Sequence, residues 1–351
     1  MLTYPIRKEG IWLSKAIKSK DTQYAYSVSR IRAIERKLLD KGKLDRMVEA
    51  KSPEEALKVL QDADYGNRDS DALNIYEYEN LLKDENKKVY SLLKEIAPEP
   101  DVFDLFLISN DYHNIKVLLK SEFSGQNSDS LLIESGSIPA DKLKTMVMDR
   151  DFTGMPAIMR NAIEECIHTY NKTLDPQVID IILDKASFKQ MKQISLISGN
   201  TFIKDLVTLF IDLANIKIFL RVKALNKPWD FLQKVLIPDG SISSTVFTEN
   251  LDNPLDSFID ALKFTSLGDF LEEGIESFKT TGSLTKFEKL SDNLIINYVK
   301  KSKYISLGIE PLVGYLMAKE IEIKNARIIM VGKINNISNE VIRERLREAY
   351  V

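Results

Sequence analysis

Two histidines, one cysteine and scattered carboxylates are the residues with which this chain could do chemistry, and their spacing offers little. Glu164 and His168 lie one helical turn apart and could lend a metal two ligands, but no further ligand set is visible; His113 is the only other histidine. Cys166 sits in a helical stretch with no base near it in sequence, so it reads as a packed thiol rather than a nucleophile. The acids Asp62, Asp64, Asp69 and Asp71 resemble a calcium loop only in part, because Gly66 takes a ligand position and the closing glutamate is missing; a solvated turn is the better account. Gly332-Lys333 lacks the upstream glycine and the following hydroxyl of a phosphate-binding loop, and no Gly-x-Gly-x-x-Gly occurs. Residue types therefore assign no catalytic group, no metal and no cofactor.

A different pattern does recur. Ser29-Arg30-Ile31-Arg32-Ala33-Ile34 is echoed by His113-Asn114-Ile115-Lys116-Val117-Leu118, by Ala214-Asn215-Ile216-Lys217-Ile218-Phe219 and by Lys324-Asn325-Ala326-Arg327-Ile328-Ile329. The intervals suit domain-sized modules rather than a solenoid of small repeats. Similarity continues downstream, where Leu44-Asp45-Arg46-Met47-Val48 matches Leu143-Lys144-Thr145-Met146-Val147, and Phe247 and Asn253-Pro254 follow the third copy. Three modules and a closing element result: a basic extension over residues 1–20, modules over 21–110, 111–210 and 211–320, and a final helical element over 321–351.

Each later copy carries an acid three residues before its asparagine: Asp111, Asp212 and Glu322. Acid and amide then share a helical face, whereas Lys116, Lys217 and Arg327 point elsewhere. Two readings stand. The polar groups satisfy one another across module boundaries and fix register, or they line a shared cavity that meets a partner.

The elements that carry these residues are helical. Ala25, Val28, Ile31, Ile34 and Leu38 follow three-and-four spacing, as do Leu206, Leu209, Leu213, Ile216 and Leu220. Arg327-Ile328-Ile329-Met330-Val331 is the best β-like run, yet it lies inside a helical echo, so the expected fold is all-α. Helix starts are expected at Ser52-Pro53, at Asp175-Pro176 and at Ser338-Asn339. A terminal helix over about 339–350 would place Ile342, Leu346 and Tyr350 on one face and pair Glu340 with Arg343 and Glu344 with Arg347.

Composition bounds the rest. With 44% hydrophobic and 29% charged residues, the 351-residue chain can bury a substantial core. A net charge of −3 gives no general attraction for nucleic acid, and a single cysteine allows no internal disulfide. The most apolar helical stretch, Phe202 to Leu220, carries Lys204, Asp205, Asp212 and Lys217, which suits a core helix and not a membrane span. Arg7, Lys8, Lys15, Lys18 and Lys20 surround a short Ile11-Trp12-Leu13 cluster near the start; it is a solvated extension or a basic arm.

The repeats, with Glu322 to Lys333 and Ile342 to Val351, resemble the C subunit of the V/A-type ATPases and ATP synthases, the counterpart of the d subunit in the eukaryotic vacuolar enzyme. The resemblance covers about residues 23–351 and is most specific over the last forty or so. It implies a funnel-shaped, all-helical protein of three similar modules in a pseudo-threefold arrangement, without an active site. In that family the protein sits peripherally on the cytoplasmic side of the membrane, joins the D and F components of the central stalk to the proteolipid rotor ring, and so links ATP turnover to H⁺ or Na⁺ transport. The implied partner contacts are the charged face Arg343, Arg345 and Arg347, with Lys116, Lys217 and Arg327 as lumen candidates. The competing class is a helical adaptor that binds a protein or peptide in a concave groove.

Overall fold

The computed structural model describes residues 21–66, 74–265 and 267–351. The basic extension, together with Asp69 and Asp71, lies outside the described residues. All regular elements among the described residues are helices, and Arg327 to Val331 is helical with the rest.

The chain begins with α1 (Ala25–Ile34), α2 (Lys41–Glu49), α3 (Pro53–Asp62) and α4 (Tyr78–Ile96). Their boundaries follow from local chemistry. Asp40 accepts from the Lys43 amide at the start of α2, and Ser52 accepts from Glu55 at the start of α3. Pro53, with its fixed φ and missing N–H, fits the first turn of α3, where an amide would lack a helical partner anyway.

A 3₁₀ stretch, Pro100–Phe106, leads to α5 (Ile108–Ser124), α6 (Ala140–Met148), α7 (Ala157–Thr173), α8 (Gln177–Ser198), α9 (Thr201–Ala224) and α10 (Trp229–Val235). Gly199, at φ 61°, takes the left-handed position that ends α8, and Asn200 caps α9 at once by accepting from Ile203. There follow α11 (Ser244–Glu249), α12 (Leu255–Lys263), α13 (Gly268–Thr281), α14 (Thr285–Val299), α15 (Glu310–Ile334) and α16 (Asn339–Arg345).

These elements form two compact units. Unit I is Asp101–Ser244; unit II joins residues 21–100 to Thr245–Val351. Within unit I, α5 packs on α6 and α8, α7 on α8, and α8 on α9. The expected core helix is α9, which buries Phe202, Leu206, Leu213, Ile216 and Leu220 and turns Lys204 and Asp205 outward. Two ion pairs stitch α5 to α8, Lys116 with Asp184 and Lys120 with Asp180.

Unit II is built around α15, which touches α1, α2, α3, α4, α14 and α16. A helix surrounded in this way has apolar residues on every face, which explains why Val313, Leu316, Ile323, Ile329 and Met330 are all buried. Ile323, Ala326, Ile329 and Met330 meet Leu44, Met47 and Val48 of α2 and Leu57 and Leu60 of α3 in one core. Each such fully buried aliphatic side chain contributes about 1.5–3 kcal/mol relative to exposure.

The terminal helix is shorter than expected. It ends at Arg345, and Leu346 to Val351 run without helical structure. Ile342 and Tyr350 are still buried, so the apolar spacing is informative about burial although not about conformation. Arg347 pairs with Asp292 rather than Glu344, and Arg343 pairs with Glu49 rather than with Glu340.

Candidate functional site

The repeated acid and asparagine are buried side chains that grip backbone. On α5, Asn114 Nδ2 donates to the Ile133 carbonyl and its Oδ1 accepts from the Ile133 amide, both at 2.8 Å. On α9, Asn215 holds Ile237 in the same two-point manner, again at 2.8 Å. On α15, Asn325 donates to the Arg347 carbonyl at 3.0 Å and accepts from its amide at 2.9 Å. A carboxamide can both donate to and accept from a single peptide unit in this fashion, so the residue type follows from the task.

The acids act one turn earlier on their helices. Asp111 accepts from the Ser137 amide and hydroxyl and from the Ile138 amide; Asp212 accepts the same three donors from Ser241 and Ile242. Gly136 and Gly240 precede those serines because a Cβ at either place would collide with the clasped carboxylate. A Gly-Ser-Ile tripeptide thus marks each gripped loop, a signal present in the sequence at both places. Burial pushes Asp111 up to about 6, against the lowering influence of its Ser137 and Ile138 bonds, and nearby Asp104 adds to the rise.

The third acid is a glutamate with other partners. Glu322 accepts from the Leu39 amide, from the Tyr65 hydroxyl at 2.5 Å and from Lys319 Nζ at 2.7 Å. Lys319 also donates to Glu85 at 2.8 Å and lies over the Tyr65 ring. Burial alone lowers the Lys319 ammonium, but Glu322 and Glu85 outweigh it and hold it above its ordinary value. Burial, then the Glu322 charge, pushes the Tyr65 hydroxyl up. The expectation that these polar groups satisfy one another across modules is therefore corrected: they bind loop backbone and, in unit II, a buried lysine. The repeat pattern misses Glu85, Lys319 and Tyr65, although a lysine three residues before Glu322 in an apolar helix is the available signal.

The first echo carries none of this chemistry. Ser27 and Arg30 occupy the acid and asparagine places; Ser27 donates to Ile96, and Arg30 pairs with Glu95 near the surface. Arg32 instead donates to the carbonyls of Ser302 and Ile305 and pairs with Glu35.

The six basic candidates divide between the units. Lys116 and Lys217 belong to unit I and the four arginines to unit II. Lys116 is engaged by Asp184, and Arg327 forms a two-pronged pair with Glu79 of α4 at 2.7 and 3.2 Å. Lys217 is half-buried on α9. Arg347 is a tether, its side chain 9% exposed, donating to Asp292 and to the Arg345 carbonyl. Arg343 bridges to Glu49 and Asp45 of α2 with 39% of its side chain exposed. Of the three C-terminal arginines, Arg345 alone is exposed without an ion pair among the described residues. The single charged face expected over Arg343, Arg345 and Arg347 is broken because the chain leaves the helix at Arg345 to be clasped by Asn325.

The remaining chemical candidates have structural places. His113 Nε2 lies 3.1 Å from the Leu131 carbonyl. Cys166 is buried against Ile179, and burial pushes its thiol up to about 12, far from a nucleophile's range. Gly332 lets Ile342 pack against α15, and Lys333 donates to the Ala50 carbonyl and Asn339. Among the described residues no group of three or more histidine, cysteine or acidic side chains could hold a metal, and no helix is long and apolar enough to cross a membrane.

Fold and site define an all-helical protein in which three long helices, α5, α9 and α15, are braced by buried polar clasps. The chain belongs to the ATP synthase (C/AC39) subunit family, whose model matches residues 27–345. It is 28% identical to the C subunit of the V-type sodium ATPase of Enterococcus hirae over 91% of this chain and 97% of that protein. Identity to the A-type ATP synthase C subunit of Methanocaldococcus jannaschii is also 28%, over 96% of this chain and 89% of the relative. The Pyrococcus horikoshii A-type ATP synthase C subunit is 26% identical over 94% of this chain and 91% of its own length.

Proposed function

We propose that this chain is the non-catalytic central-rotor component of a V/A-type ATPase or ATP synthase, sitting peripherally on the cytoplasmic side of the membrane. It couples the D/F central stalk to the proteolipid rotor ring, so that ATP hydrolysis or synthesis is linked to H⁺ or Na⁺ transport. The family match over residues 27–345 is the observation that carries this reading. The clasps of Asn114, Asn215 and Asn325 support a repeated plan of helix and gripped segment on α5, α9 and α15; the finer reading, three similar modules in a pseudo-threefold funnel, is proposed from the family match.

A coupling element must pass torque without yielding. Close-packed helices of low compressibility supply stiffness, and two-point clasps keep the loops between them from sliding. Docking surfaces of this kind are polar at the rim, which makes them specific yet separable. Arg345 and Arg343 are the contact residues we favour, with Lys116, Lys217 and Arg327 as lumen contacts of lower rank; Arg347 serves to hold its own segment.

Affinity purification of the tagged chain from mildly solubilised membranes tests the reading. The D and F stalk proteins and the ring proteolipid should co-purify at low salt, and the stalk should dissociate as ionic strength rises. Recovery of the chain without stalk or ring proteins would overturn the proposal.

A further inference from the structure

Three large apolar side chains stand exposed at one end of unit I: Leu174 at 73%, Leu225 at 66% and Trp229 at 50%. Chain geometry brings them to the same end. Leu174 to Pro176 alone join α7 to α8, which pack on each other, and α8 turns into α9 through Gly199 and Asn200. With 22 and 24 residues, α8 and α9 run about 33 and 36 Å, so the end of α9 returns level with the start of α8. Lys192 of α8 donates to Thr208 of α9 at 2.8 Å, partway along, which fixes that antiparallel course. Trp229 then opens α10, which packs on both helices. Burial lowers the Lys185 ammonium of α8, and Glu165 of α7 and Lys234 of α10 are the charges that act on it next, as side-by-side helices require.

The same end is basic. Residues 171–177 and 221–230 hold four cations, Lys172, Arg221, Lys223 and Lys227, against two acids, Asp175 and Asp230. Asp175 is engaged by the Gln177 amide. Elsewhere in unit I surface cations are paired, as Lys116 is with Asp184, Lys144 with Asp129 and Arg150 with Glu122. Lys172, Arg221 and Lys227 are exposed and form no ion pair among the described residues; Lys227 lies over the Phe231 ring at 5.8 Å.

We propose that this end of unit I rests on an anionic phospholipid surface, with Leu174, Leu225 and Trp229 entering the headgroup layer while Lys172, Arg221 and Lys227 meet lipid phosphates. An indole and aliphatic side chains ringed by unpaired cations match the apolar and anionic layers of a membrane interface. Helix ends present turns rather than a groove, and three side chains bury far less than the roughly 1,000 Å² that a stable protein interface takes. A bilayer surface accommodates such a tip without a matching socket. The contact goes beyond the rotary reading, which gives the chain protein partners, and rests on it only for a membrane within reach.

Vesicle binding by the full-length chain is the test. Trp12→Phe leaves Trp229 as the sole tryptophan. That protein is mixed with vesicles of phosphatidylcholine and phosphatidylglycerol in equal parts, or of phosphatidylcholine alone, with no other ATPase component present. On the anionic vesicles the chain should co-sediment and Trp229 emission should move to shorter wavelength, with weaker binding to phosphatidylcholine. Lys227→Gln should lower partitioning about fivefold and Leu225→Ser about tenfold. Both positions are exposed, where substitution is near neutral for folding. Unchanged Trp229 emission on anionic vesicles would overturn the proposal, as would equal binding to phosphatidylcholine alone. Co-sedimentation that survives Leu225→Ser combined with Trp229→Ser would overturn it too, and would move the contact to the basic extension over residues 1–20. A Trp229 shift produced by detergent-solubilised rotor rings but not by vesicles would overturn it in favour of a protein contact. The vesicle assay holds neither stalk nor ring, so its failure is distinct from failure of the co-purification that tests the rotary reading.

Discussion

The clasps of unit I and the clasp of unit II solve one problem with different electrostatics. Asp111 and Asp212 are saturated by neutral donors, two amides and one hydroxyl each, brought close by Gly136 and Gly240. No glycine and no serine precede Leu39, so a longer acid reaches out from α15, and Tyr65 and Lys319 complete its shell. At Asp111 burial outweighs those neutral donors and raises the carboxyl to about 6. Glu322 is instead paired with the buried Lys319 ammonium at 2.7 Å. Within this chain, then, the asparagine is the constant part of the device, whereas its acidic neighbour adapts to whatever backbone must be held.

The largest effect is expected at Asn215. Asn215→Ala leaves the buried amide and carbonyl of Ile237 without partners, and at about 1–3 kcal/mol for each orphaned group it should lose about 3–4 kcal/mol in denaturant unfolding. Gly240→Ala drives a methyl group into the Asp212 carboxylate and should cost about 2–3 kcal/mol, read in the same way. Asn325→Ala should cost about 1–2 kcal/mol, because Arg347 is less buried than Ile237 and its freed backbone groups reach water. Equal losses at Asn215 and Asn325 would erase the distinction between the clasps of unit I and that of unit II.

Smaller effects probe the electrostatic side. Since the Asp111 carboxyl is raised in the folded state, folding takes up a proton there, and stability should increase as pH falls through about 6 toward the ordinary carboxylate range near 3.8. Asp111→Asn should flatten that segment of the stability profile, which thermal melts across pH would detect. Arg345→Glu, at an exposed site without an ion pair among the described residues, should change stability by less than about 0.5 kcal/mol, yet weaken stalk or ring binding in co-purification.

Much of the fold is legible in the sequence because helix signals are local. Ser52-Pro53 and Ser338 start helices as their chemistry dictates, and the spacing along α9 and α15 announces buried helices. The polar repeat is legible as a repeat but not as a clasp. Its partners are peptide groups of loops, and a peptide group has no residue type to read; only the Gly-Ser-Ile at 136–138 and 240–242 betrays them. Leu346 to Val351 misleads for a related reason, since the apolar spacing of Ile342, Leu346 and Tyr350 describes a buried face equally well when the segment is unwound and held by Asn325, Asn293 and Ser302. Arg347 shows the limit for the contact residues, because its engagement by Asp292 of α14 depends on tertiary packing alone.

Bridging between ring and stalk is the property on which the proposed function turns. Detergent-solubilised rotor rings immobilised on a surface should capture the D/F stalk only after this chain has been loaded onto them, and capture should fall when salt is raised. Stalk capture that is the same with and without the chain, or a chain that binds neither ring nor stalk, would contradict it.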